Sequence, residues 1–153
     1  MIRKAKISDA EHIYKLISTF AKSGVMLARS LNSIYENIRD FWVAVDPEGE
    51  KVIGCCALHI IGWEGLAEIR SLTVDSSYQH HGTGRELVMQ CIKEAKEMEL
   101  KKLFALTFVP DFFFKCGFRE ESKDKLPHKI WSDCIDCPFF PNCTEVAVIM
   151  EIA

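Results

Sequence analysis

Leu66-Ala67-Glu68-Ile69-Arg70-Ser71-Leu72-Thr73-Val74, followed shortly by Gln79-His80-His81-Gly82-Thr83-Gly84, is the stretch on which the fold of this chain turns. The first segment alternates: Leu66, Glu68, Arg70, Leu72 and Val74 stand against Ala67, Ile69, Ser71 and Thr73, the period of a strand. From Thr83 to about Met98, Leu87, Val88, Cys91, Ile92, Ala95 and Met98 recur at helical spacing. A strand, a glycine-bearing loop and a helix together make an anion site. The helix start leaves backbone N–H groups unpaired, and its dipole favours negative charge. Gly82 and Gly84 let backbone approach a pyrophosphate closely, and His80, His81 and Arg85 add positive charge. The alternative is an ordinary glycine-rich turn. The G-x-G-x-x-G dinucleotide fingerprint is incomplete here, and no Gly-Lys-Ser/Thr follows to make a Walker loop.

Working outward, the chain reads as one continuous α/β domain over residues 1–153, without repeat or linker. Ile2 to Ala5 is a short strand, and Ser8 is read as the N-cap of a helix, with Glu11 completing a capping box. Ile13, Leu16, Ile17 and Phe20 mark that helix's inner face, and Gly24 its end. A second helix is expected from Ser30 to about Arg39. Phe41–Val45 and Val52–Ile61 read as a hairpin around Asp46-Pro47-Glu48-Gly49, and Gly62 to Gly65 turns the chain into Leu66–Val74. Leu103–Val109 is a further strand, Asp111 to Lys115 a short helix, Gly117-Phe118 the start of another strand, and Thr144–Ile152 the last strand.

With 48% hydrophobic and 27% charged residues, a sizeable core is expected. A net charge of −3 argues against nucleic acid or a membrane surface as partner. No apolar run nears the roughly 18 residues of a membrane span, and no signal-peptide pattern opens the chain, so a cytoplasmic location is expected. Of the seven cysteines, Cys55, Cys56 and Cys91 sit in apolar patterns and read as core.

Gln79-His80-His81-Gly82-Thr83-Gly84 resembles the Gln/Arg-x-x-Gly-x-Gly/Ala signature of the GNAT family of N-acetyltransferases. Phe113-Phe114-Lys115-Cys116-Gly117-Phe118 is similar to the second signature of that family, an aromatic residue shortly before Gly-Phe. The resemblance covers roughly residues 2 to 120. It implies a twisted, mixed, mostly antiparallel sheet of six to seven strands flanked by about four helices, with acetyl-CoA as cosubstrate. It also implies that the backbone of Leu72, Thr73 and Val74 pairs with the pantetheine arm. The amides from His80 to Arg85, behind Gln79, would then hold the pyrophosphate. Several family members carry a catalytic Glu at the position of Glu68, which marks it as the general base; a solvent-facing strand residue is the alternative. Many relatives place a Tyr acid where this chain has Phe113, which leaves the thiolate without an evident proton donor.

Gly24-Val25-Met26-Leu27-Ala28-Arg29-Ser30, Leu103-Phe104-Ala105-Leu106-Thr107 and Leu126-Pro127 are similar to bacterial N-acetylglutamate synthases, in the form that stands without an amino-acid-kinase-like domain. That likeness implies an amino-acid acceptor, L-glutamate, and a place in arginine biosynthesis. Arg29 would bind the α-carboxylate, with Arg70 and Lys129 as further basic groups. A homodimer is the assembly such relatives suggest. Two other readings stay open: a transferase for a different amine or a protein acceptor, and a catalytically weak module that binds acetyl-CoA. In the loop 126–143, Cys134, Cys137 and Cys143 have the spacing of zinc ligands, with His128 as the fourth; free thiols and a local disulfide are the alternatives.

Overall fold

The computed structural model describes residues 1–123 and 145–152. The strands are β1 (Ile2–Lys4), β2 (Phe41–Val45), β3 (Val52–Ile61), β4 (Leu66–Val74), β5 (Lys102–Thr107), β6 (Arg119–Glu121) and β7 (Val146–Glu151). The helices are α1 (Ala10–Lys22), α2 (Leu31–Glu36), α3 (Thr83–Glu97) and α4 (Pro110–Lys115). The strands form one sheet in the order β1-β2-β3-β4-β5-β7-β6. Every neighbouring pair is antiparallel except β4 and β5. This is the mixed, mostly antiparallel α/β sheet with about four helices that the sequence predicts.

Two features of β4 position everything that follows. First, its parallel pairing with β5 runs only through Leu66↔Lys102, Ala67↔Leu103 and Glu68↔Phe104. Beyond Glu68 the strands part, so the β5-facing edge of β4 from Ile69 to Val74 has no strand partner among the described residues. Second, the β3–β4 register passes from Cys55↔Thr73 to Ala57↔Arg70, so Ser71 and Leu72 together oppose Cys56. Such a bulge bends the strand and re-aims its groups. Ser71 takes φ +59°, a left-handed conformation that a side-chain-bearing residue adopts only where its surroundings enforce it.

Helices cover both faces. On one, Leu87, Val88, Cys91, Ile92 and Ala95 of α3 pack with Leu58, Ala67, Ile69, Leu103 and Ala105, and Phe113 and Phe118 join them. On the other, Ala10, Ile13 and Ile17 of α1 and Ile34 of α2 pack on Phe41, Val43, Cys55 and Ala57. Cys55, Cys56 and Cys91 are fully buried, as their apolar setting predicts. Cutting Leu87, also fully buried, back to Ala would cost about 2–5 kcal/mol through lost transfer energy and the cavity left behind.

The local start and stop signals differ from expectation in several places; the strand expected at Gly117-Phe118, for one, begins at Arg119. Ser8 lies inside a 3-10 turn, Ile7–Asp9, and Asp9 does the capping: its Oδ2 accepts from the Lys6 amide at 2.7 Å. The same carboxylate takes both nitrogens of the Arg3 fork, at 2.7 and 3.1 Å. With two oxygens, a carboxylate accepts from the amide and from both nitrogens of the guanidinium at once, one donor more than the two lone pairs of a serine hydroxyl can take. The second helix is short: the Asn37 side chain donates to the Ser33 carbonyl at 2.8 Å, and the chain continues as a 3-10 turn over Ile38–Asp40. β5 ends at Thr107 rather than Val109, because Thr107 Oγ1 accepts from the Val109 amide at 2.9 Å and curls the chain into α4.

Candidate active site

Where β4 and β5 part, a cleft of about 1110 Å³ opens. Its walls include Glu68 to Val74 of β4, Gln79, His80 and Gly82 to Arg85, Leu106 to Val109, and Val25 to Ser30.

One half of the cleft is built from backbone. The bulge at Ser71 is held from β3: the Cys55 thiol donates to the Ser71 carbonyl at 3.3 Å and lies 3.0 Å from Thr73 Oγ1. Burial pushes the Cys55 thiol up to about 12, so it remains a thiol and a structural donor. At the end of β4, the Gln79 side chain donates to the Val74 carbonyl at 3.0 Å and fixes the entry to the loop. His80 (φ +69°) and Gly82 (φ +83°) then turn the chain into α3. The first turn of α3 is closed by Glu86 N donating to Gly82 O at 3.0 Å, so the amides of Thr83, Gly84 and Arg85 precede the helical ladder. His80, His81 and Arg85 are exposed around them. A Cβ on Gly84 would stand 3.5 Å from the Phe112 ring, an ordinary contact, so packing against α4 does not demand glycine there. Close approach of a ligand to the loop backbone would. Tyr78, which the sequence reading passed over, donates to Asp46 Oδ2 at 2.6 Å and pins the loop to the β2–β3 turn.

The other half is built from side chains. Glu68 sits at the last position of β4 that pairs with β5, its side chain 15% exposed, with Arg70 Nη1 at 3.6 Å. Arg29 reaches in from the segment before α2. Its guanidinium donates to Ser71 Oγ at 3.3 Å and to Ser33 Oγ at 3.0 Å, and it lies 5.4 Å from the centre of the Phe41 ring. Burial lowers the Arg29 pKa, and the charge of Arg70 lowers it further, but a guanidinium keeps its proton all the same. Both hydrogen-bond partners are hydroxyls, and the charges of Asp40 and Glu68 also act on the guanidinium. Arg70 Nε is buried and has no hydrogen-bond partner among the described residues. Thr107 lies at the end of β5 across the cleft; its oxygen already accepts from Val109, which leaves its own O–H to donate.

The structure thus gathers Arg29, Glu68, Arg70, Leu72, Thr73, Val74, Gln79, His80, Gly82, Thr83, Gly84 and Arg85 around one cleft, with His81 in the loop beside them. Phe113, at the position where relatives carry Tyr, is a core side chain, packed edge-on to Phe112 and Phe118. Cys116 is buried with its pKa raised by that burial. Lys129, His128, Cys134, Cys137 and Cys143 lie outside the described residues. Among the described residues, no cluster of three or more His, Cys, Asp or Glu side chains could hold a metal, and no helix is long and apolar enough to cross a membrane.

A splayed β4–β5 pair, a bulged β4 and an anion loop opening α3 define an acyl-CoA-binding transferase scaffold. The chain belongs to the acetyltransferase (GNAT) family, whose model matches residues 10–118, and is an acetyl-CoA-dependent N-acetyltransferase. It is 40% identical over 151 residues to an uncharacterized N-acetyltransferase of Chlorobaculum tepidum, covering 99% of this chain and 96% of that one. It is 38% identical over 121 residues to an amino-acid acetyltransferase of Mycobacterium tuberculosis, covering 78% of this chain and 68% of the relative. Among solved structures, the N-acetylglutamate synthase of Neisseria gonorrhoeae complexed with coenzyme A and N-acetyl-glutamate superposes with a TM-score of 0.90 at 26% identity. All of this chain is covered, and 35% of that one.

Proposed function

We propose that the protein transfers the acetyl group of acetyl-CoA to the α-amine of L-glutamate, an N-acetylglutamate synthase activity of arginine biosynthesis. One observation carries the acceptor: two guanidiniums, Arg29 and Arg70, line the same cleft, and the hydroxyls of Ser71 and Ser33 hold Arg29. Each fork could receive a substrate carboxylate through two parallel hydrogen bonds, and Glu68 lies beside Arg70 at 3.6 Å. The name of the mycobacterial relative and the ligands of the gonococcal structure support the same reading.

In this reading the pyrophosphate rests on the amides from His80 to Arg85, behind Gln79, and the pantetheine arm lies along the free edge of Leu72, Thr73 and Val74. The thioester then points into the gap beside Glu68. Glu68 takes a proton from the acceptor ammonium, and the freed amine attacks the thioester carbonyl. A backbone N–H at the β4 bulge stabilises the oxyanion. The Thr107 hydroxyl donates a hydrogen bond to the departing thiolate, which takes up the second N–H proton of the collapsing intermediate, so the step does not need the acid that Phe113 cannot supply. Release of free thiol from acetyl-CoA, followed across a panel of amino acids, tests the acceptor. Turnover with glutamate well above glutamine and simple amines is expected. Equal turnover with an amine that has no carboxylate would rule the reading out.

A further inference from the structure

The sheet face that carries Glu68 continues beyond it. β3 and β4 pair with His59 directly opposite Glu68, which puts the two side chains on the same face with Cβ atoms about 4.5–5.5 Å apart. His59 Nδ1 lies 2.7 Å from Oδ2 of Asp40, the last residue of the 3-10 turn ahead of β2. An ionised carboxylate can only accept, so Nδ1 carries the proton of that bond, and in the neutral imidazole Nε2 is the nitrogen with the lone pair. The His59 and Asp40 side chains are 28% and 26% exposed, so the pair reaches water where Glu68, at 15%, barely does.

The reaction itself demands an exit for a proton. An ammonium that becomes an amide loses two N–H protons; one ends on the thiol of coenzyme A, and the other must leave for solvent. Glu68, with its side chain 15% exposed at the cleft wall, has little contact with bulk water of its own through which to shed a proton.

We infer that His59, oriented by Asp40, is a positioning residue that receives the proton from Glu68 and releases it to water. The inference rests on the reading of Glu68 as base. Per turnover, the proton moves from the amine to the Glu68 carboxylate, from there to His59 Nε2, and from the imidazolium to solvent. Asp40 compensates the transient positive charge, and every group returns to its starting state.

The test uses the full chain in the thiol-release assay with acetyl-CoA and glutamate, rates being expressed per folded molecule. His59→Asn keeps a side-chain N–H near Asp40 but takes up no proton, and His59→Gln serves as a second variant. The expected result is a fall in kcat of about tenfold, smaller than loss of the base itself, with both KM values unchanged. Free imidazole added to the buffer should restore most of the rate, which a merely structural contact between Asp40 and His59 would not allow. A wild-type kcat, or a loss that imidazole leaves untouched, overturns the relay. Glu68→Gln is assayed in parallel. If it is crippled while the His59 variants are not, only the relay falls. If it also turns over normally, the base assignment has failed and the relay with it.

Discussion

The two halves of the cleft are made of different material. The half read as holding acetyl-CoA consists of backbone: the free edge of β4 beyond Glu68, the left-handed residues His80 and Gly82, and the amides ahead of the α3 ladder. The half read as holding the acceptor consists of side chains, brought together from the segment before α2 (Arg29), β4 (Glu68, Arg70) and β5 (Thr107). Backbone recognition depends on chain geometry and tolerates many side chains. Side-chain recognition depends on residue identity and can be exchanged without rebuilding the fold. The two halves meet at Ser71, whose left-handed backbone shapes the first and whose hydroxyl helps to hold Arg29 in the second.

The contrast can be broken by substitution. Glu68→Gln is expected to have the largest effect, a fall in kcat of about 10²–10⁴-fold at neutral pH, less at high pH where free amine is more abundant, with KM for acetyl-CoA nearly unchanged. Steady-state kinetics from neutral to alkaline pH would check it. Next, Arg29→Lys loses the planar fork, and KM for glutamate should rise about 10–100-fold while KM for acetyl-CoA stays put. Gly82→Ala is the mirror image. A side chain at φ +83° costs about 1–2 kcal/mol, and the loop is expected to shift enough to raise KM for acetyl-CoA about tenfold, leaving the acceptor's alone.

The smallest effect lies outside both halves. Burial works to raise the Asp9 carboxyl, but the hydrogen bonds from Arg3 and the Lys6 amide, with the charge of Arg3, outweigh it and hold the group below the ordinary range. A depressed carboxyl stabilises the fold at neutral pH, and that contribution is lost as pH falls below the usual aspartate range. Asp9→Asn should therefore cost about 1–2 kcal/mol at pH 7 by urea unfolding, with the difference shrinking in acid and kinetics unaffected.

The same contrast explains what the sequence disclosed. Backbone sites need glycine at fixed spacing after a strand, so Gly82 and Gly84 are local signals, and Val52–Ile61 and Leu66–Val74 appear within their expected bounds. The bulge at Ser71 left no such signal, because nothing in Arg70-Ser71-Leu72 differs from an ordinary strand; its cause, Cys55, lies sixteen residues away. Arg29 was reached only through resemblance, since its partner Ser71 is 42 residues distant. Thr107 was passed over because a threonine ending a strand is unremarkable until the opposite wall of the cleft is seen. The Ser8 cap failed for a similar reason: Arg3, on another element, selects Asp9.

Calorimetric titration of coenzyme A into Arg29→Lys/Glu68→Gln tests the separation most directly. If the two halves are independent, the double variant should bind coenzyme A within about twofold of wild type although its turnover of glutamate is abolished. Binding weakened by about tenfold or more, roughly 1.4 kcal/mol, would show that these side chains belong to the cosubstrate half and would contradict the account.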